Sequence, residues 1–401
     1  MTGFVQRVEV VMATPEIHTH RLSGSTEQND PTLARTLNLL RQPRNFRTAL
    51  PLYRRLQFGR FLEGSLLLTS LPLLNDTKDS RLPNVDTNGN GNVSTNAYWT
   101  GTEIEEPWLA AFADRSCRPE TEVWLFGSWE PRAQHPSSPP ASTSNGNSTA
   151  TSKDTPSLDP KTSSLLHALL LSLKTIPLPP SIHAPRPTDQ TDDNTPDAVG
   201  LTRSQYGGHA SNPSIMLWGA IHSSTFPYLK ALDCMASWFD STWVPNHMFI
   251  FSVSSLPDRP PLPAGLRWGK LDARHWELVK SRTQIPRQDR TMATLPNLAL
   301  FPTQGTEGEK ERPVAWAFVG LDSSLTTLHV EPEYRRLGLA KTLTTKLLRE
   351  EMDLFWADGM ERLAQGYVIV GNEASAGMCR ALGGRADWEV YWLRVDLEQV
   401  R

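Results

Sequence analysis

The chain has 401 residues, enough for two or three domains of ordinary size, yet only 38% of them are apolar and many of its 32 prolines fall in polar stretches. Its 40 basic and 43 acidic side chains nearly cancel, leaving a net charge of −3, which argues against nucleic acid or an anionic membrane as the main partner. Cys117, Cys234 and Cys379 lie far apart with no CxxC pair, so a reduced compartment is expected and neither a disulfide framework nor a metal is.

Residues Met1 to Gly24 include Glu9 and Glu16 and lack a long apolar run, unlike a signal peptide. The apolar stretches Phe61–Leu74 and Leu165–Leu173 are too short or too interrupted to span a bilayer. The expectation is a soluble cytoplasmic protein, with the nucleus as a second location.

In chain order, residues 33–74 read as helical, with Leu33, Leu37, Leu40, Leu50, Tyr53 and Leu56 at helix spacing. Residues 75–104, 132–163 and 184–212 are polar and Gly-, Pro- or Ser-rich, and read as disordered insertions. Between them, Glu122–Trp129 reads as a buried strand and Leu165–Leu173 as a helix. Ile215–His222, Phe226–Asp240 and His247–Val253 then read as strand, helix and strand. Pro257–Pro263 marks a linker, so the expected division is residues 1–256, a Pro-rich linker at 257–264, and a denser domain at 265–401. In that domain Gly269–Arg282 suggests a strand entering a helix, and Thr294–Phe301 a short helix or strand. Pro313–Val319 and Leu325–Val330 read as neighbouring strands around a turn at Asp322-Ser323. Leu337–Met352 reads as a helix, Gly366–Val370 as a strand, Asn372–Leu382 as a helix and Val390–Val395 as a last strand. This order fits an α/β (α+β) layer fold.

The informative segment runs from Leu328 to Ala340 and joins a strand to a helix. Gly338 and Ala340 carry little or no side chain, so an anion can approach the backbone amides that open the helix, where the dipole favours phosphate. Arg335 and Arg336 add positive charge beside it. Such a loop can hold a pyrophosphate without metal.

With Arg335-x-x-Gly338-x-Ala340, the preceding Val330-x-Pro332-Glu333-Tyr334-Arg335, and Asn372-Glu373-Ala374-Ser375 after the next strand, the last third of the chain resembles the GCN5-related N-acetyltransferase (GNAT) superfamily. Ala315-Trp316 ahead of the loop strand is similar to its glycine N-acyltransferase-like, or FR47-like, branch. The resemblance implies a GNAT fold with a central mixed sheet flanked by helices, and two tandem GNAT-like halves of which the first is degenerate. It implies acetyl-CoA or another acyl-CoA as co-substrate, with Leu328, Val330, Arg335, Arg336, Leu337, Gly338, Leu339, Ala340 and Asn372 along it. It also implies direct attack on the thioester by the amine of a small molecule or amino acid. His329 is the titratable residue on the strand beside the thioester, and Cys379 stands where many members place the Tyr that protonates the thiolate. The branch is associated with a Glu base that aligns at or beside Ser324, and Ser cannot act alone as a base at neutral pH. That departure argues against glycine as acceptor and keeps two alternatives open: a non-catalytic acyl-CoA-binding or interaction protein, and a protein or peptide N-acetyltransferase. The acceptor, acyl length and oligomeric state are open at this level.

Overall fold

The computed structural model describes residues 15–73, 104, 107–130, 158–179, 196, 200–236, 243–356 and 359–401. Among them twelve strands form one continuous sheet. In chain order they are β1 (His18–Arg21), β2 (Leu66–Thr69), β3 (Leu109–Ala113), β4 (Val123–Gly127), β5 (Ile215–His222), β6 (Asn246–Ser252), β7 (Leu266–Gly269), β8 (Asn297–Pro302), β9 (Ala315–Val319), β10 (Ser324–Val330), β11 (Leu363–Ile369) and β12 (Arg385–Asp396). The helices are α1 (Pro31–Leu40), α2 (Leu50–Phe58), α3 (Pro160–Lys174), α4 (Arg203–Gly207), α5 (Phe226–Ala231), α6 (Trp276–Ser281), α7 (Asp289–Met292), α8 (Glu307–Lys310), α9 (Leu339–Glu350) and α10 (Glu373–Ala381).

The sheet order is β1-β2-β3-β4-β5-β12-β6-β11-β10-β9-β8-β7. Adding six to each strand of the first half gives its counterpart in the second, so the order reads alike from either edge. Each half has four antiparallel strands and then one parallel junction, β4 with β5 and β10 with β11. The last strands are exchanged. β6 pairs with β11 of the second half, β12 pairs with β5 of the first, and β6 and β12 pair with each other at the centre.

Packing reinforces the exchange. From α2, buried Arg54 donates to the carbonyl oxygens of Phe355 and Leu363 in the second half. Its guanidinium lies among Phe46, Tyr53, Phe355 and Trp356. Together with Gln57 Oε1 at 2.6 Å, these carbonyls supply the acceptors that a buried guanidinium needs. A core under α9 and α10 includes Leu343, Leu347, Val368 and Cys379, and another joins α1 and α2 to Met248, Ile250 and Val390.

Several expected elements differ. The apolar stretch after Phe61 contributes β2 rather than a helix, because a short all-apolar run suits a buried strand as well as a helix and its partners β1 and β3 decide. Strands β1 and β3 are additional elements. The helix begun at Phe226 stops at Ala231, followed by left-handed Asp233 (φ 49°), and Met235 bridges to Val395; residues 237–242 lie outside the described residues. The segment 158–163 is ordered, with Asp159 capping Thr162 and Pro160 opening α3. Residues 200–212 are ordered too. Thr202 and Gln205 form a capping box, while Arg118 donates to the carbonyls of His209 and Asn212, and Arg394 to those of Gln205 and Tyr206. Most of the remaining expected insertions lie outside the described residues.

Residues 257–401 expressed alone would leave β11 and β12 without the strand between them, exposing hydrogen-bonding edges. They are expected to be insoluble or self-associated. Coexpression with residues 1–256 as a separate chain is expected to give a soluble one-to-one complex, measured by copurification and light scattering; an independently stable monomer of 257–401 contradicts the exchange.

Candidate active site

Strands β10 and β11 pair in parallel only at Ser324–Gln365 and Leu325–Gly366, and then part. A parallel pair that separates leaves backbone N–H and C=O groups unpaired, and such groups need another partner when covered. The parting coincides with a register break in β10 between Thr326 and His329, where Thr327 is left-handed (φ 52°). Bulges of this kind re-aim side chains and backbone at functional sites.

Past the fork, β10 leads into the loop found in the sequence. Arg335 donates from Nε to the Val330 carbonyl at 3.0 Å, which folds the loop back on its strand. Arg336 and Gly338 are both left-handed (φ 65° and 74°). At Gly338 a Cβ would meet nothing within 4 Å, so the space over the loop is open. The first bond of α9 runs from the Thr342 N–H to the Gly338 carbonyl at 3.1 Å. The amides of Leu339, Ala340 and Lys341 precede it and have no acceptor within the helix. Leu337 is exposed, whereas Leu339 is buried and anchors the helix start. These features suit the phosphates of a nucleotide-bearing thioester: open space, unpaired amides, a helix dipole and two arginines.

Leu328 and Val330 are partly buried against the core under α9. Asn372, at the end of β11, caps α10 by accepting from the Ser375 N–H at 3.1 Å. Thus both ends of the fork finish in helix N-termini.

The other face carries different chemistry. His329 pairs with Trp316 across β9 and stacks on it, with ring centroids 4.7 Å apart. Its Nε2 lies 3.4 Å from Glu331, which Arg282 also binds at 3.1 Å. Burial holds the His329 pKa below the ordinary imidazole value, although Glu331 opposes the shift. Ser324, where the Glu base aligns, is buried and donates to Asp322 at 2.6 Å. Cys379 is buried in the core against α9, and desolvation pushes its thiol up to about 12. The structure also brings in Arg287, Asp322, Gln365 and Tyr367, which the sequence reading did not single out. Arg287 donates to Thr326 at 2.7 Å and Thr327 at 3.0 Å, and Tyr367 donates to Asp322 at 2.8 Å. Only the turn signal at Asp322-Ser323 pointed near them.

The first half has an equivalent fork, where β4 and β5 pair at two positions. There the Trp129 ring lies against Gly127, so close that a Cβ on that glycine would fall 2.3 Å from it, and the indole donates to Thr225 at 3.0 Å. Glu130 is buried beside them, its pKa pushed up to about 8 by desolvation. The helix that follows is capped by the Asp159 carboxylate, which accepts from the Thr162 N–H at 2.8 Å. Among the described residues, no group of three His, Cys, Asp or Glu could hold a metal, and no helix is long and apolar enough to cross a membrane.

A mixed sheet with a parted parallel pair, followed by an arginine- and glycine-bearing helix start, defines a protein of the GNAT superfamily, and its FR47-like branch is confirmed by a match of residues 306–393 to the FR47-like protein model. Residues 15–253, more than half of the chain, match the model described as the acyl-CoA N-acyltransferase verG N-terminal domain, and the chain belongs to that acyltransferase family. Among solved structures it is similar in fold to a Drosophila protein determined by X-ray crystallography, at 13% identity and a TM-score of 0.50, covering 92% of this chain and 97% of that one. Weaker likenesses include a tandem GNAT protein from the clavulanic acid biosynthesis pathway (8% identity, TM-score 0.45, 95% and 99% covered) and a GNAT from Kribbella flavida (12%, 0.32, 50% and 78%). No curated relative matches the chain in sequence.

A buried thiol held in its neutral form reacts slowly. Cys379 and Cys234, the latter pushed up to about 11, are expected to resist a soluble thiol reagent in the folded chain and to react fully on unfolding. Mass spectrometry of the labelled sites checks this; rapid native labelling of Cys379 would place its thiol within reach of the reaction.

Proposed function

We propose that this protein transfers an acyl group, most simply acetyl, from its CoA thioester to the amine of a small molecule or amino acid. The observation that carries the reading is the fork of β10 and β11 opening onto the left-handed Gly338 loop. On this reading Arg335, Arg336, Leu337, Gly338, Leu339 and Ala340 surround the pyrophosphate, while Leu328, Val330 and Asn372 flank the pantetheine arm. Unpaired backbone N–H groups of β10 at its bulge face the thioester oxygen as it gains charge. We assign the second half, residues 265–401, as the acyl-CoA half. The first half serves as its structural partner, consistent with Trp129, Glu130 and Asp159 at its own fork. Work in the cytoplasm or nucleus fits the reaction, which needs a cellular acyl-CoA pool.

The nucleophile must be a neutral amine, so its proton needs an acceptor. His329 is our candidate. With its pKa below the ordinary value it is neutral at pH 7 and available as a base. Activity that needs the neutral ring is present above that pKa and is lost as the pH falls through it. His329→Gln is expected to lower kcat at least tenfold and to remove this acid limb from the pH profile of kcat/KM. A variant with the wild-type rate and profile would dismiss His329. No proton-donating role is assigned to Cys379, given its place in the core.

Thermal unfolding with acetyl-CoA, benzoyl-CoA and free CoA tests the cofactor directly. Ligand at a hundredfold its Kd stabilises by about 2.7 kcal/mol, which corresponds to a Tm rise on the order of 5 °C. Gly338→Glu is expected to abolish the rise, because it sets bulk and negative charge over the unpaired amides. Gly338→Ala, which costs about 1–2 kcal/mol for the left-handed backbone but meets no neighbour, is expected to keep part of it. No rise in the unaltered chain would favour an interaction module on a retained fold; a rise without turnover would favour an acyl-CoA sensor, a reading to which the Ser324 departure points.

A further inference from the structure

The polar groups on one face of the fork have a hydrogen-bond pattern that leaves a specific vacancy for donors. Ser324 and Gln365 are paired in parallel register, and one step beyond the last pair Thr326 and Tyr367 stand at the point of divergence. Buried Asp322 organises this face. One carboxylate oxygen accepts from the Ser324 N–H at 3.2 Å and its hydroxyl at 2.6 Å. The other accepts from the Tyr367 hydroxyl at 2.8 Å and from Gln365 Nε2 at 3.2 Å. Gln365 Nε2 also donates to the Asp322 carbonyl at 2.8 Å and to the Tyr367 oxygen at 3.0 Å, so its two hydrogens are shared among three acceptors.

An amide nitrogen between a carbonyl and a carboxylate has its orientation fixed, since both neighbours are acceptors. Two consequences follow. Tyr367 gives its single proton to Asp322 and accepts from Gln365 Nε2, so it can serve a further partner only as an acceptor, through its remaining lone pair. Gln365, fully buried, is left with an Oε1 that has no hydrogen-bond partner among the described residues. An unmet buried acceptor is costly, and its presence beside the fork points to a donor that arrives with the substrate.

We propose that Tyr367 and Gln365 form the seat of the acceptor amine, which gives one N–H to the Tyr367 oxygen and the other to the Gln365 carbonyl. The inference rests on the acyl-CoA reading above. With its phosphates at Arg335–Ala340, the pantetheine arm must run back along β10 for several extended residues. That carries the thioester past His329 to the place where the strands part. A primary amine seated there spends both N–H groups on the seat and keeps its lone pair free for the thioester carbon. A secondary amine has one N–H too few, and an anion would meet only acceptors. Asp322 acts as a positioning residue, fixing which way Tyr367 and Gln365 face. Trp392 of β12 packs edge-on to Tyr367 at 4.8 Å, and its indole donates to Thr121 of the first half at 3.2 Å.

The test has two parts. Primary amines and amino acids are screened with acetyl-CoA for release of the CoA thiol, each beside its N-methyl counterpart. The unaltered chain is expected to prefer the primary member at least tenfold. Tyr367→Phe is expected to raise the amine KM at least tenfold, with a smaller change in kcat and an unchanged acetyl-CoA Tm rise. The second part needs no variant and no turnover. A structure of the acetyl-CoA complex soaked with methylammonium is expected to show the cation within hydrogen-bond distance of the Tyr367 oxygen and Gln365 Oε1. A water alone at that position, or a Tyr367→Phe variant with the wild-type KM, overturns the seat while leaving the acyl-CoA reading intact. Absence of any acetyl-CoA Tm rise overturns both.

Discussion

A parallel pair of strands that comes apart after two residues is the feature on which the proposed chemistry of this protein depends. Parallel ladders hold by evenly spaced bonds, and once β10 and β11 separate the freed backbone groups must be met by something other than the sheet. The bulge at Thr327 coincides with the separation, the Gly338 loop supplies a charged floor at one end, and Asp322 ties the strands together at the other. Hydrogen bonds within the chain thus frame the fork at both ends, Arg335 to Val330 and Gln365 to Asp322.

The exchange of β6 and β12 explains why the two halves cannot be treated as beads on a string. Each half lends its last strand to the other, so the symmetric sheet order is a product of both halves and of neither alone. Yet the two forks have different contents. The second half presents an exposed arginine-rich loop and open space over Gly338. The first presents a Trp ring over Gly127, a buried Glu130 and a capping Asp159. On the proposed reading the second half holds the acyl-CoA, while the first contributes packing, including Thr121 beneath Trp392 and Arg54 against Phe355 and Leu363.

The two faces of the fork also divide the labour. Leu328, Val330, Val368 and Cys379 belong to the apolar side under α9 and α10. Ser324, Thr326, His329, Gln365 and Tyr367 stand on the polar side, joined through Asp322, Arg287 and Glu331. Alternation sets this division along β11, and in β10 the bulge at Thr327 brings Thr326 and His329, three positions apart, to one side opposite Phe318 and Trp316. It also accounts for the inertness expected of Cys379, which lies in the apolar layer.

The strand-to-helix placement of Arg335, Gly338 and Ala340, the turn at Asp322-Ser323 and the helix begun at Asn372 were legible in the sequence by itself, because they depend on local backbone needs such as small residues at a close approach. The helices around Leu165 and Leu343 were legible for a related reason, their apolar spacing. What only the tertiary structure decided depends on distant pairing. The Leu66–Thr69 run became a strand because β1 and β3 flank it, and residues 200–212 became ordered because Arg118 and Arg394 supply donors to their carbonyls. The exchange of β6 and β12 has no local signature, since any β-forming segment satisfies its ladder with whichever neighbour the fold provides. The Asp322–Gln365–Tyr367 cluster joins residues more than forty positions apart, and its vacancy for a donor arises from a count of hydrogen bonds that exists only once the strands are side by side.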